Sequence, residues 1–203
     1  MPTFPCKLDL SFKGDRNYLH GTDIIQGLFA TKLKLFDISI QFHKMSKYQL
    51  EANYVNSDDL PALRESKNLC AIMFFTNDNG EKKIVVMIEN NNHKIYKSYP
   101  YNESEVIENS ILKNKKISQM AKNQYSFIER VVALNKELLN NIVAWQEWLF
   151  VRIDLLEPPS EKEHISIKCV REVGGSMYKS SISSNSHLLG YIFFSRRMDE
   201  SRD

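Results

Sequence analysis

Residues 13–23, Lys-Gly-Asp-Arg-Asn-Tyr-Leu-His-Gly-Thr-Asp, gather a His, two Asp, an Arg and a Tyr. An apolar segment follows at once, Ile24-Ile25-Gln26-Gly27-Leu28-Phe29. Titratable groups at the mouth of a buried helix suit acid–base and carbonyl chemistry. The first amides of such a helix have no intrahelical partner, so those of Gly21, Thr22 and Asp23 are expected to polarise a carbonyl and stabilise an oxyanion. His20, with an ordinary pKa of about 6.5, suits a general base. Asp23, or Glu129 in the first turn of a second helix, would orient a water or donate a proton. Arg16 would hold a phosphate or carboxylate of the ligand. The catalytic expectation is therefore His20, Asp23 and Glu129; the binding expectation is Arg16, Tyr18, Gly21 and Thr22, with Gly21 permitting close backbone approach. The plainer alternative is a helix capped by Thr22 or Asp23 behind a polar loop. Asp15 and Arg16 would then be a solvated ion pair and Glu129 a solvated helix residue.

The elements that must position these residues are read from periodicity. Helices are expected over 22–30 and 125–142, the latter from Phe127, Val131, Leu134, Leu138 and Ile142 at three- and four-residue intervals. Residues 33–55 read as strand, turn, strand, with Phe36, Ile38, Ile40 and Phe42 on one face. Residues 57–61 read as a loop or short turn. An apolar strand over 69–75 meets Asn77-Asp78-Asn79-Gly80, a hairpin signal because Asn and Gly tolerate positive φ, and the chain returns over 84–89. Asn90-Asn91-Asn92 is expected to end that strand. Ser104, Glu105 and Glu108 read as a helix start, with Val106, Ile107, Ile111 and Leu112 at helical spacing and a weakly patterned basic stretch after it. Strands are expected again over 148–155, 165–172, 177–182 and 188–195, punctuated by Pro158-Pro159-Ser160 and Gly174-Gly175, with a frayed charged tail over 196–203.

Composition narrows the classes. The chain has 203 residues, 42% of them hydrophobic, enough for a real core. A formal net charge of +2 gives no general footprint for nucleic acid. The longest apolar runs fall far short of the roughly 20 residues of a membrane helix, and the N-terminus lacks the regions of a signal peptide. Cys6, Cys70 and Cys169 form neither a metal pattern nor a disulfide framework, and Cys70 and Cys169 read as buried packing residues. A reducing cytoplasm is the simplest compartment. No two histidines stand at i, i+4, so neither a metal nor another cofactor is expected.

Segment 71–90 can be laid without gaps on 176–195, each reading strand, turn, strand. Together with one apolar helix upstream in each half, this suggests an internal duplication, 1–100 and 101–203, packed as one globular unit. Helix first, then an antiparallel meander, twice over, resembles a tandem hotdog protein. The resemblance implies an α+β double hotdog, two antiparallel sheets or one continuous sheet, each wrapped around a central helix. It implies action on acyl thioesters, as thioesterase or hydroxyacyl dehydratase. His20 and Gly21 stand just ahead of the first helix, as such a site would have them. The dehydratase pattern of His, two residues, then Gly-Asn-Pro is replaced by His20-Gly21-Thr22-Asp23, and a thioesterase loop Asp-x-Asn-x-His is absent. The second half has no His at the equivalent loop, so at most one site would be complete. Acyl-CoA or an acyl-carrier protein is the implied partner and a homodimer a further expectation; no nucleic-acid partner and no membrane span are expected. Lys113, Lys115, Lys116 and Lys122 would meet coenzyme A phosphates or an acidic carrier, or form a solvated face. The competing function is a non-catalytic binding or assembly module. A tunnel filled by Phe29, Phe127 or Trp145 would favour that alternative.

Overall fold

The computed structural model describes residues 5–30, 35–120, 123–143, 147–158 and 164–197. Lys122, Trp145, Pro159 and Ser160, Leu33 and most of the charged tail lie outside the described residues. The chain divides into two compact units, Met1–Asn102 with Asp154–Pro159, and Glu103–Ile153 with Ser160–Asp203.

The first unit contains β1 (Cys6–Leu8), β2 (Phe12–Lys13), α1 (Gly21–Phe29), β3 (Leu35–Phe42) and β4 (Tyr48–Val55). A 3-10 turn (Ser57–Asp59), α2 (Leu60–Arg64), β5 (Leu69–Asn77), β6 (Lys82–Lys94) and β7 (Ser98–Tyr99) complete it. Its sheet runs β1-β4-β6-β5-β3, antiparallel throughout, and β2 pairs with β7 in parallel. β5 is buried without a break from Leu69 to Met73, as expected of an inner strand covered on both faces. On one side, Leu60 and Leu63 of α2 pack on Leu69, Ile72 and Val86. α1 buries Ile24, Ile25 and Leu28. A Cβ at Gly27 would stand 2.9 Å from Leu10, so this glycine lets α1 lie close to the segment after β1.

Several expectations need correction here. Phe36 is 47% exposed while Leu35 and Ile38 are buried. A bulge between Phe36 and Ser39, with Asp37 at φ 49, inserts a residue and turns Phe36 to the other face. The short turn expected from residue 57 is the 3-10 turn, and α2 extends it to Arg64. β6 does not end at Asn90. The Asn90 side chain accepts from the Asn92 amide, bonds the His93 ring and donates to Glu51 at 2.6 Å. A bulge is thereby stabilised, and β6 rejoins its partner at Lys94 opposite Tyr48.

The second unit contains α3 (Glu103–Val106), β8 (Ser110–Lys113), β9 (Lys116–Gln119), α4 (Phe127–Ile142), all but the last two residues of β10 (Trp148–Leu155), β11 (Ile165–Val173), β12 (Met177–Ser184) and β13 (His187–Arg196). The strand order is β10-β13-β12-β11-β9-β8. The helix expected from residue 104 stops after one turn. Residues 110–119 form a hairpin instead, closed by Asn114 and Lys115, both at positive φ, the geometry a two-residue hairpin turn requires. α4 packs on β9, β11 and β13. Cys70 is buried as expected, but Cys169 is only half-buried.

With β2, β7, β8 and the short helices set aside, both units read strand, helix, four strands, with β1 and β9 leading. Their inner strands are exchanged: β6 pairs with β4 and β5, whereas its counterpart β13 lies between β10 and β12. The gapless overlay of 71–90 on 176–195 matches hairpin to hairpin but not sheet position to sheet position. No described helix is long and apolar enough to cross a membrane.

Candidate functional site

The start of α1 is built by three segments that meet in the first unit. The β2–β7 pair carries Lys13 and Tyr99 side by side. Gly14 follows with φ +59, donating its amide to the Tyr99 carbonyl at 2.8 Å. A Cβ there would stand 3.2 Å from the Tyr101 carbonyl, so glycine serves both the turn and the close approach. The chain then enters α1 through His20.

Lys13 is fully buried. Its Nζ donates to Thr22 Oγ1 at 2.6 Å and pairs with Asp23 Oδ1 at 3.0 Å. It also lies 4.8 Å from the Tyr101 ring centre and 5.7 Å from that of Tyr99, distances at which an aromatic face stabilises a cation. The Tyr99 hydroxyl donates to Asp23 Oδ1 at 2.7 Å. Asp23 Oδ2 accepts from the His20 amide at 3.2 Å. Burial of a lysine and an aspartate is tolerable only with such complete mutual bonding.

His20, not Thr22 or Asp23, is the N-cap residue of α1, and Asp23 closes a capping box with it. The Thr22 amide donates to His20 Nδ1 at 3.4 Å, and Thr22 Oγ1 lies 2.9 Å from the same nitrogen. The amide can only donate, so this contact makes Nδ1 an acceptor and puts the proton of the neutral ring on Nε2. The Asp23 amide is bonded to the His20 carbonyl at 3.0 Å. The amides of Thr22 and Asp23 are thus engaged, leaving Gly21 as the first-turn donor for a ligand.

The sequence therefore located the cluster, and within it Asp23 is the counter-ion of Lys13 and a capping residue. Arg16 lies 5.4 Å from the Tyr101 ring centre, and Tyr18 is half-buried. Lys13, Tyr99 and Tyr101 were missed. Lys13 begins the 13–23 segment, but Tyr99 is 76 residues from Asp23 along the chain, and no local pattern links them. Glu129 belongs to the second unit. It is buried, and its Oε2 accepts from the Ser126 amide at 2.9 Å and hydroxyl at 2.7 Å, closing the capping box of α4. Next to it, Arg130 is fully buried and donates from Nε to Gln119 at 2.8 Å.

Two open clefts of the first unit lie elsewhere. One, of about 730 Å³, is lined by Gln49, Glu51, the Asn90 bulge and Tyr96. The other, of about 930 Å³, is lined by Asp37, Asp58, Phe74 and Lys82. Neither includes His20 or a residue bonded to it. Among the described residues no group of three or more His, Cys, Asp or Glu could hold a metal ion.

No family model matches the sequence, and no curated protein matches it. Solved structures do. The dehydratase domain of RzxB from Pseudomonas fluorescens is similar over 91% of this chain and 92% of its own, with a TM-score of 0.46 and 7% identity. The tesB protein of Mycobacterium avium subspecies paratuberculosis is similar over 92% and 89%, with a TM-score of 0.44 and 9% identity. The acyl-CoA thioesterase II TesB2 of Mycobacterium marinum is similar over 87% and 86%, with a TM-score of 0.42 and 6% identity.

Proposed function

We propose that this protein acts on an acyl thioester, carried by coenzyme A or an acyl-carrier protein, as a thioesterase or hydroxyacyl dehydratase. In this reading the chain is a double hotdog, the sheet of each unit curled around α1 or α4, and the site lies at the start of α1. What supports it is the place of His20 at the start of α1, its Nδ1 facing the Thr22 amide and hydroxyl. With Nδ1 as acceptor of the Thr22 amide, the neutral ring carries its proton on Nε2, and that donor together with the Gly21 amide would suit a carbonyl oxygen that gains charge. In this reading His20 is an electrophile toward the carbonyl, where the sequence suggested a base. Lys13, Thr22 and Asp23 are positioning residues that hold the ring. A polarised thioester carbonyl both accepts water more readily and acidifies its α-carbon, so the same contact serves hydrolysis or dehydration. Arg16 on the rim takes the phosphate of the carrier. The compartment proposed is the cytoplasm, in keeping with three unpaired cysteines.

The non-catalytic reading has one observation in its favour: Asp23 and Lys13 are bonded to the protein itself, as in a staple that only fixes α1. Thiol release from an acyl-CoA panel, with hydroxyacyl substrates assayed for dehydration, separates the two. Turnover by the wild type should fall about 10²–10³-fold in His20→Ala, with the thermal midpoint kept within a few degrees. No turnover of any thioester by the wild type would refute the enzymatic reading. A lowered midpoint with turnover retained would make His20 a cap and nothing more.

A further inference from the structure

The face of the second unit's sheet turned away from α4 holds an unbalanced array of cations. The Gln119 amide oxygen accepts from Arg130 of α4, so the face of Gln119 is the one α4 covers. Gln119 pairs with Ile165, and Ile167 pairs with Ile117 and Ile182, which places these on the same covered face. Alternation then puts their sequence neighbours on the opposite face. There Lys113 stands opposite Lys116, Lys116 opposite Lys168, and Arg171 opposite Lys179. Lys168 continues the row through Ser181 to Tyr191.

Lys113, Lys116, Lys168 and Arg171 are exposed. Lys179 is half-buried because its Nζ lies 3.7 Å from the Tyr191 ring centre, where it is held in place. Among the described residues of β8, β9, β11, β12 and β13, no Asp or Glu takes a position on this face. Like charges directly opposite on neighbouring strands are destabilising, and strands lie only about 4.8 Å apart. No carboxylate on this face of these five strands offsets the three pairs.

We propose that this face binds the phosphate backbone of a single-stranded nucleic acid. Charge complementarity points to a polyanion. A row of cations crossing several strands suits a chain of charges rather than one anion. An open sheet face carrying lysines, arginines and aromatic rings is the kind of platform that single strands use, whereas a duplex is met mostly through grooves. Serines 181 and 183 bond backbone carbonyls of β11 and keep the surface between the cations low.

The test is fluorescence anisotropy of the full chain with a labelled 20-nucleotide oligo(U). If all five cations meet phosphates, log K against log salt should slope at about −3.5, so that binding weakens about 100-fold between 50 and 200 mM. Lys116→Gln/Lys168→Gln should flatten the slope by about 1.4 and weaken binding at least tenfold at 100 mM salt. Its thermal midpoint should not fall, since like-charge pairs are removed. His20→Ala should bind as the wild type does, which separates this site from the one at α1. Absence of binding at 50 mM salt, an unchanged affinity in the double variant, or tighter binding of a duplex would overturn the proposal. So would displacement by poly-glutamate as effective as by unlabelled oligo(U), which would point to an acidic protein instead.

Discussion

Replacing Lys13 by Met leaves Asp23 with a buried charge and no counter-ion. The pair spans 3.0 Å, with side chains 0% and 5% exposed, so solvent screens it little. Removing one partner of such a pair costs about 3–5 kcal/mol, because the stranded charge keeps its desolvation penalty. Asp23 retains the Tyr99 hydroxyl and the His20 amide, which places the expected cost toward 3. At about 2–4 °C per kcal/mol for a chain of this size, the thermal midpoint should fall by about 6–12 °C. Lys13→Met/Asp23→Leu removes both charges, and a buried pair replaced by apolar groups is often near neutral. The double variant should therefore be more stable than Lys13→Met alone, with a coupling of about 2 kcal/mol in urea and thermal denaturation followed by circular dichroism. A loss below about 1 kcal/mol in Lys13→Met, or single losses that simply add in the double variant, would show that the pair is not buried and coupled as described.

Three further outcomes are expected. Burial, with the Glu89 carboxylate nearby, pushes the Cys70 thiol from 9.0 up to about 12. Native protein at pH 8 should leave Cys70 unlabelled by a disulfide reagent, while denatured protein reports all three thiols; rapid native labelling of Cys70 would refute this. Because the folded value lies above the unfolded one, the stability this thiol contributes is complete below pH 9 and is lost as pH rises towards 12. Cys70→Ala should accordingly show a shallower fall in thermal midpoint between pH 9 and 11 than the wild type. At the β8–β9 turn, Lys115 has φ 58. Lys115→Gly relieves about 1–2 kcal/mol of left-handed strain against about 0.4–1 kcal/mol of added unfolded-state entropy. The midpoint should rise by a few degrees, and a fall would contradict the turn geometry.

Periodicity carried the regular elements well. The apolar spacing of α4 and the alternation of β4 report which side of each element is buried, and that information is local. The same logic failed where an irregular backbone resets the period. Val106, Ile107, Ile111 and Leu112 fit a helix, yet Asn109, Asn114 and Lys115 adopt positive φ, and a hairpin takes the segment. Phe36 was placed on the wrong face because the bulge at Asp37 leaves no count in the alternation.

The candidate site divides along the same line. His20, Thr22 and Asp23 lie within one turn of chain, so their clustering was legible, as was a helix start. What Asp23 does was not, because its partners Lys13 and Tyr99 come from β2 and β7, brought together by a parallel pair with most of the first unit between them. The outer face of the second sheet shows the limit most plainly. A net charge of +2 averages its cations away. Lys113, Lys116, Lys168, Arg171 and Lys179 share a face only through the registers of β8, β9, β11 and β12. Local sequence sets the period of a strand and which of its sides is apolar. Which strand lies beside it, and at what offset, depends on packing between residues far apart in the chain, and the tertiary structure alone decides that.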